Sequence, residues 1–298
     1  MASVKELRIR IKSVGNIKQI TRAMEMVSST KLRRFQDRAV SSRPYAEEIT
    51  GLVSGLAAVL GPEVADKPLF KKGAGDKLCM LLITSDRGLC GAYNTNIFAQ
   101  LERYIAAAKA DGVDEKDIDF LVYGRKGYRY LSKRGLTVEA FLVEPPLENI
   151  DFAQAAATSK QLMVRFLDGK YSRVDILYSA FQSMVKYVPR AVPFLPVEQE
   201  GVTEGEEASI SKDSDVILEP DAETIFDSLI PRYLEIRIYN ALLESLTSEY
   251  AARRSSMKAA TDAATDMQKL LKGQYNRLRQ EGITKELLDI VGGVEALK

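Results

Sequence analysis

Apolar residues at alternating steps of three and four occupy both ends of this sequence, and they restrict its fold more than any other feature. The N-terminal seam begins with Val4, Leu7, Ile11 and Val14. A three-residue step then shifts its phase, and it continues through Ile17, Ile20, Met24 and Val27. The pattern predicts a coiled-coil helix over residues 1–60, overwound at the shifted step. Around Pro44 we expect a bend or irregularity.

The last third of the chain repeats this spacing. Glu219-Pro220-Asp221 is a helix start signal with Asp221 as the N-cap, which predicts a helix over residues 221–298. The predicted seam consists of Leu243, Leu246, Tyr250, Arg253, Met257, Ala260, Ala264, Met267, Leu271, Gln274 and Leu278. Small residues in it, such as Ala260 and Ala264, allow a partner helix to approach closely.

Helix length indicates what the two ends pack against. A helix of nearly 60 residues is about 85 Å long, whereas a middle domain of roughly 130 residues has a radius of gyration of only about 14 Å. The terminal helices therefore cannot both be buried on that domain. We expect them to pair antiparallel with each other as an arm.

The middle of the chain, residues 75–200, changes period. The short apolar runs 77–84, 118–124 and 173–181 read as strands, and the segments 92–110 and 152–168 between them read as helices. Strands that alternate with helices predict a Rossmann-like α/β domain with parallel strands. The acidic, Gly- and Ser-rich segment 198–215 is expected to be a loop or hairpin.

The most enzyme-like feature is TSDRGLCGAYN at 84–94, a strand followed by a glycine-containing turn and a helix. Such turns can bind phosphate through backbone N–H groups. It matches neither nucleotide-binding glycine motif, so a tight turn with close helix–strand packing is the favoured interpretation. Cys79 is expected to be buried in a strand and Cys90 to be partly exposed in the turn.

Composition argues against catalysis by this chain. It has 298 residues, no His, no Trp and two Cys, so it lacks the usual general base and a structural zinc set. We find no carboxylate pair or catalytic triad, and we predict no catalytic, cofactor-binding or metal-binding residue. The start MASVKELRIRIK does not resemble a signal peptide, and the longest apolar run, 78–83, is too short to span a bilayer. We expect a soluble chain in a reducing compartment.

The N-terminal helix is strongly basic in a chain of net charge +1. Residues 5–43 contain eleven Lys and Arg against three Asp and Glu. An excess of this size predicts an acidic partner, either a protein or RNA. At the other end, Ile283, Leu287, Ile290, Val291 and Val294 form an apolar face that overshoots the expected partner helix and needs another surface.

Several stretches together carry a resemblance to a known family. They are ITRAMEMVSSTKLRRFQDRA near the start, SRPYAEE at 42–48, TSDRGLCGAYN at 84–94, EPDAETIFDSLIPRY at 219–233, SEYAARRSSMKAATDAATD at 248–266 and ITKELLDIVGG at 283–293. With these motifs the chain resembles, from end to end, the gamma subunit of bacterial F-type ATP synthases.

The resemblance implies a non-catalytic central rotor shaft. In that family the coiled coil stands inside a ring of alpha and beta subunits, and the middle domain lies on the membrane ring of c subunits and against epsilon. Proton flow turns the ring and the shaft, and the angle of the shaft sets the state of each catalytic beta subunit. Nucleic acid is not a partner there.

The same resemblance implies partner contacts at three places. Met24 would face acidic beta-subunit levers together with Arg22, Lys31, Arg33 and Arg34. Arg279 and Gln280 would contact a beta-subunit loop. Ile283, Leu287, Ile290 and Val291 would turn in an apolar collar.

The sequence departs from the family mildly at Arg254, Ser255, Ser256 and Val294, which affects local contacts. The cysteine-bearing insert of chloroplast relatives is absent from 198–221. Absence of a transit peptide favours a bacterial protein, peripheral on the cytoplasmic face of the inner membrane. Two alternatives remain at this point: a nucleotide-dependent α/β enzyme with a coiled-coil arm, and a basic coiled-coil arm that binds RNA.

Overall fold

The computed structural model describes residues 3–198 and 218–295, with side chains up to residue 293. Packing divides the chain into two compact units. The coil unit comprises residues 1–29 and 253–298, and the sheet unit comprises residues 30–252. Each unit contains part of two long helices, α1 (Val4–Leu60) and α5 (Ala222–Glu295).

The sheet unit contains a five-stranded sheet in the order β3-β2-β1-β4-β5. Its strands are β1 (Lys77–Ile83), β2 (Ile118–Tyr123), β3 (Val138–Leu142), β4 (Tyr171–Phe181) and β5 (Tyr187–Leu195). The first four are parallel and β5 is antiparallel to β4. The predicted α/β layer is therefore confirmed, with one antiparallel strand added at its side.

Three shorter helices connect the strands: α2 (Tyr93–Ala110), α3 (Arg125–Arg134) and α4 (Phe152–Leu167). Short 3-10 helices occupy Gly61–Asp66, Glu115–Asp117 and Leu147–Asn149. Helices α2 and α4 match the predicted segments, whereas β3, β5 and α3 lie in stretches that the sequence analysis left unassigned.

Alternation along β1 builds two hydrophobic layers. Cys79, Leu81 and Ile83 face a core formed with α1, α4 and α5. Met80 and Leu82 face a second core formed with α2 and α3. Because helices cover both faces, β1 is buried throughout most of its length, which explains its continuous apolar run.

Strand β5 is the outermost of the described strands on its side of the sheet, and it carries prolines. Pro189 and Pro193 stand opposite Ser179 and Asp175 of β4. Neither proline has an N–H to donate. The carbonyl oxygen of Pro193 accepts a hydrogen bond of 2.7 Å from Nη2 of Arg237 in α5.

In the coil unit α1 and α5 pair antiparallel, as predicted. Nη2 of Arg8 donates to Oη of Tyr275 at 3.0 Å, and Oγ1 of Thr261 donates to Oγ1 of Thr21 at 2.8 Å. Between these pairs, a Cβ on Gly15 would lie 3.1 Å from Nε2 of Gln268. Partner numbers in α5 fall as the α1 numbers rise, so the two helices are antiparallel. They fall by nearly the same amount as the α1 numbers rise, so the register is the same at all three pairs.

The N-terminal seam keeps one phase, and the predicted shift at Ile17 is wrong. Ile17, Ile20 and Val27 are exposed by more than half. Gly15, Met24, Ser29 and Lys31 are half-buried at the sides of the seam, and the other less exposed positions from 7 to 35 are Leu7, Ile11, Val14, Lys18, Thr21, Glu25, Ser28, Leu32 and Phe35. Their steps alternate strictly between four and three, because the apolar positions at both ends fix the rotation of the helix and polar residues fill the middle.

The C-terminal seam is also corrected at three positions. Met257, Ala264 and Leu271 are buried as predicted. Met267 is 55% exposed, and the positions that alternate with the buried ones are Thr261, Gln268 and Tyr275 rather than Ala260, Met267 and Gln274. Because Met267 is apolar, the sequence pattern placed it on the side of α5 that faces the partner helix. In the structure the polar residues Thr261 and Gln268 occupy that side.

Helix α1 continues through Pro44, and the bend or irregularity expected there stays a prediction. One segment of helix within Val4–Asp66 is long and apolar enough to cross a membrane by length and composition. Its Val53 and Leu56 are fully buried in the core of the sheet unit, and the core helix of a globular domain passes the same test.

The start of α5 confirms the predicted cap. Oδ1 of Asp221 accepts from the backbone N–H of Thr224 at 2.8 Å, and Oδ2 accepts from the Thr224 hydroxyl at 2.9 Å. The backbone and hydroxyl bonds from Thr224 lower the pKa of Asp221. The predicted loop at 198–215 lies, apart from Glu198, outside the described residues.

Candidate functional site

The glycine-containing turn between β1 and α2 serves the neighbouring helix α3. Oγ1 of Thr84 accepts from the N–H of Gly127 at 2.8 Å. The carbonyl of Ser85 accepts from the N–H of Lys126 at 3.0 Å, and Oδ1 of Asp86 accepts from the N–H of Arg125 at 3.1 Å. These groups satisfy three N–H donors in the first turn of α3. The turn is thus a cap for a helix of its own fold.

Two positions opposite this turn must be glycine, because Thr84 lies too close to them for a Cβ to fit. A Cβ on Gly124 would lie 2.1 Å from the carbonyl oxygen of Thr84, and the Gly124 backbone has a φ of +94°. A Cβ on Gly127 would lie 2.7 Å from Oγ1 of Thr84. The preferred interpretation of TSDRGLCGAYN, a tight turn with close helix–strand packing, is confirmed.

Helix α5 packs at the crevice where an open α/β sheet binds its ligands. That crevice lies at the carboxyl ends of β1 and β4, where the strand order reverses. Here Oη of Tyr93 contacts Oγ of Ser245 at 2.7 Å, and Oγ of Ser248 donates to the carbonyl of Ser179 at 3.0 Å. All four residues are buried.

Both thiols are buried. The sequence analysis expected Cys90 to be partly exposed, but it is only 2% exposed because its turn folds back onto Met80 and Tyr93 in the second core. Nδ2 of Asn94 donates to its Sγ at 3.2 Å. Cys79 is fully buried, as predicted, and desolvation raises its pKa. Within residues 3–198 and 218–295, no group of three or more His, Cys, Asp or Glu is placed to hold a metal ion.

The predicted partner contacts near the N-terminus fall into both units. In the coil unit Arg22 is exposed and Met24 is half-buried. In the sheet unit Arg33 and Arg34 are exposed and line an open groove of about 650 Å³. Arg38 and Tyr239 also line this groove, and Nη2 of Arg38 donates to the carbonyl of Ile150 at 2.7 Å.

Lys31 is engaged inside the sheet unit. Its ammonium forms an ion pair with the Glu148 carboxylate and lies 3.4 Å from Oη of Tyr250. Oη of Tyr250 donates to the same carboxylate at 2.6 Å, and Nη2 of Arg87 lies 3.8 Å from its other oxygen. Burial acts to raise the pKa of Glu148, but the bonds from Lys31 and Tyr250 outweigh it and the pKa lies below its ordinary value.

Sequence reasoning missed the role of Glu148. Lys31 and Glu148 are separated by 117 positions, so no local pattern relates them. A lone glutamate in the connection between β3 and α4 gives no signal of its own.

The predicted contacts of the C-terminal tip are exposed. Arg279 and Gln280 face solvent. The tip face, defined as Ile283, Leu287, Ile290 and Val291, is 48–63% exposed. Since Arg8 pairs with Tyr275 and α1 begins at Val4, α5 from residue 283 onward extends past the start of its partner helix.

The fold and these surfaces define a coiled-coil protein with an α/β sheet, in which α5 packs against the switch point through Ser245 and Ser248. A family model described as ATP synthase matches residues 3–297. The ATP synthase gamma chain of Cytophaga hutchinsonii is 40% identical over 297 residues, which cover 100% of this chain and 99% of that protein. That of Chlorobium phaeobacteroides is 36% identical over 303 residues, with 100% and 99% covered. The chain belongs to the ATP synthase gamma family.

Solved structures agree with this fold. A central stalk and c-ring structure of the Tetrahymena thermophila mitochondrial ATP synthase matches with a TM-score of 0.56 and 25% identity, covering 81% of this chain and 99% of that one. An OSCP/F1/c-ring structure of the Euglena gracilis mitochondrial ATP synthase matches with a TM-score of 0.65 and 22% identity, covering 99% and 94%. These matches favour the rotor interpretation and give no support to the RNA-binding alternative.

Proposed function

We propose that this chain is the central-stalk rotor subunit of a proton-translocating F-type ATP synthase. It would pass the rotation of the membrane ring to the catalytic beta subunits. The observation that carries this proposal is the antiparallel coil of α1 and α5, with an apolar tip that has no partner helix within the described residues. Neither an isolated enzyme nor an RNA-binding arm needs such a tip.

The coil has the properties that a shaft requires. Within the coil unit its heptad phase is unbroken from Leu7 to Ser28, which gives this part of the arm the regular pairing that a stiff shaft requires. A pair of helices inside a threefold ring presents a different surface to each of three beta subunits. A difference in contact free energy at each angle is sufficient to shift the conformational populations of those subunits.

The charged and apolar residues on the surface supply the contacts. We assign Arg22, Met24, Arg33 and Arg34 to acidic levers of the beta subunits, because all four reach solvent to some degree on a basic helix. Lys31 joins them only by sharing or leaving Glu148.

The C-terminal end of α5 supplies a second set of contacts. Arg279 and Gln280 are assigned to a beta-subunit loop. The tip face is assigned to an apolar collar in which it turns, and burying it there would remove its four apolar side chains from water.

We further propose that the chain has no catalytic site of its own. The turn at 84–94 caps α3, the switch-point crevice holds Ser245 and Ser248, and both thiols are buried. Nucleotide chemistry would then reside in the partner subunits, and this chain would bind no cofactor.

The remaining partners follow from the same role. They are the alpha and beta subunits, the epsilon subunit and the membrane ring of c subunits, with no nucleic acid. The chain would be peripheral, held at the cytoplasmic face of the bacterial inner membrane by the complex.

Co-expression with the alpha and beta subunits of the same host tests the proposal. Size exclusion with an ATPase assay on each fraction should place this chain in one large active complex, and omitting it should abolish that activity. Elution of the chain alone, with no retained partner, would contradict the rotor role. ATP binding by the isolated chain would contradict the absence of a nucleotide site.

A further inference from the structure

Helix α3 is the most one-sidedly charged of the short helices. Five of the ten residues of RKGYRYLSKR are Lys or Arg, and none is Asp or Glu. The whole chain has a net charge of only +1. The charge of α3 is therefore a local feature of this helix.

One side of α3 is fixed to the sheet unit. Gly127 and Leu131 are buried, and the ring of Tyr130 stacks on Phe98 with centroids 4.0 Å apart. Arg134 forms ion pairs of 2.7 Å with Glu102 and with Glu115. These contacts account for one of the five cations and leave the helix rigidly seated.

The other side displays three cations, which we name the α3 stripe. Arg125, Arg129 and Lys133 are four residues apart, so they follow one face of the helix. All three are exposed, and none forms an ion pair with a carboxylate in the described part of the chain. Tyr128 lies beside them, 39% exposed and stacked on Phe141.

The position of Arg125 is unfavourable for the isolated helix. It lies in the first turn, where the helix dipole is positive, so a cation there is unfavourable. Asp86 caps the N–H of Arg125 and offsets part of this cost. Helix stability alone does not account for the stripe.

We propose that the α3 stripe docks an acidic segment of another protein subunit of the same complex. This inference rests on the proposed function for the identity of the complex and adds a surface that lies outside both the coil and the tip face. A few carboxylates at helical or loop spacing would match three cations that span about 12 Å of helix. Anionic lipid surfaces are recognised by larger clusters of about four to eight Lys and Arg, so a protein segment fits better.

Charge reversal on matched surfaces tests the stripe. The test variant is Arg125→Glu, Arg129→Glu and Lys133→Glu; the control is Arg103→Glu, Lys109→Glu and Lys116→Glu, three exposed cations elsewhere in the sheet unit. Both change the net charge equally. Each is mixed with the alpha, beta and epsilon subunits and the detergent-solubilised ring of c subunits of the same host, and incorporation into the complex is followed over time at low and high salt. We expect the test variant to assemble about tenfold more slowly at low salt and the difference to vanish at high salt.

Site-directed cross-linking identifies the occupant. Ser132 is exposed beside the stripe, and the native thiols Cys79 and Cys90 are buried, so Ser132→Cys can be labelled selectively with a benzophenone maleimide. A cross-link in the assembled complex to an acidic segment of another subunit supports the proposal. A cross-link to lipid, RNA or a segment without carboxylates overturns it, as does equal assembly of the test and control variants. Failure of the wild-type chain to assemble at all would instead contradict the rotor role and remove this inference with it.

Discussion

The Glu148 carboxylate joins three separate parts of the sheet unit. It pairs with Lys31 of α1, accepts from Tyr250 of α5 at 2.6 Å and lies 3.8 Å from Arg87 of the glycine-containing turn. These contacts contribute more to the free energy of unfolding than a surface ion pair does, because the Glu148 side chain is only 25% exposed.

We expect Glu148→Gln to destabilise the sheet unit by about 1 kcal/mol, since it removes charged hydrogen bonds from a partly buried site. Urea unfolding measures this. The pKa of Glu148 is lowered in the folded state, so its contribution is complete above the ordinary value of 4.5 and declines as the pH falls below it. The two proteins should therefore converge in acid. Glu47→Gln is the control, since its pair with Arg43 is 4.0 Å long and 70% exposed, and it should change stability little.

Two helical glycines give opposite predictions for the same substitution. Gly127→Ala places a Cβ 2.7 Å from Oγ1 of the buried Thr84 and should cost about 1–3 kcal/mol. Gly273→Ala meets nothing within 4 Å and should stabilise its helix by up to about 1 kcal/mol. Thermal melts of both variants measure the signs. Equal effects would mean that contact with Thr84 does not explain why α3 carries glycine there.

At the scale of elements, the coil register is open to a direct test. Thr21→Cys with Thr261→Cys should form a disulfide readily on mild oxidation, because the two hydroxyl oxygens are 2.8 Å apart. The pair Thr21→Cys with Met267→Cys is displaced by six residues, about 9 Å along the helix, and should stay reduced. Non-reducing gel mobility separates the two results. Efficient oxidation of the displaced pair would show that the register is wrong.

The elements were predictable from sequence where the local signal and burial agree. β1, β2 and β4 are apolar runs that are buried on both faces, and α2 and α4 carry one apolar face. Strand β5 escaped because prolines argue against a strand, and α3 escaped because only a narrow side of it is buried.

The heptads show the limit of reasoning from apolarity alone. Both seams were recognised, but Ile17, Ile20 and Met267 were assigned to the interface although they face solvent. The interface takes Lys18, Thr21 and Gln268 there, because rotation of each helix is fixed by its apolar ends. For the candidate site, exposure of the tip face agrees with the sequence analysis. The contacts of Glu148 with Lys31, Tyr250 and Arg87 could be recognised only in the folded structure.

At the scale of the whole molecule, we expect the sheet unit to fold without the C-terminal tip of α5. The sequence divides into predicted domains at 1–60, 75–200 and 221–298, and this division remains a prediction. Deleting residues 283–298 should weaken assembly with the alpha and beta subunits and leave the sheet unit folded, because the tip face is 48–63% exposed and belongs to the coil unit. Circular dichroism melts and size exclusion of the mixture measure the two effects.

A full-length variant separates tip length from tip chemistry. Changing Ile283, Leu287, Ile290 and Val291 to Gln keeps the helix and removes its apolar face. It should weaken assembly as the deletion does if burial of that face is the cause. Loss of the folded sheet unit in either variant would count against the proposed division into parts.

The prolines of β5 also bear on what happens before the chain meets its partners. An unprotected edge strand can add a strand from another copy and so begin aggregation. Here Pro189 and Pro193 supply no N–H for such pairing, and Arg237 already occupies the Pro193 carbonyl. At these two positions of β5, the outer side of the sheet therefore cannot pair in the regular way with a strand of another copy, which would protect the chain before it is assembled.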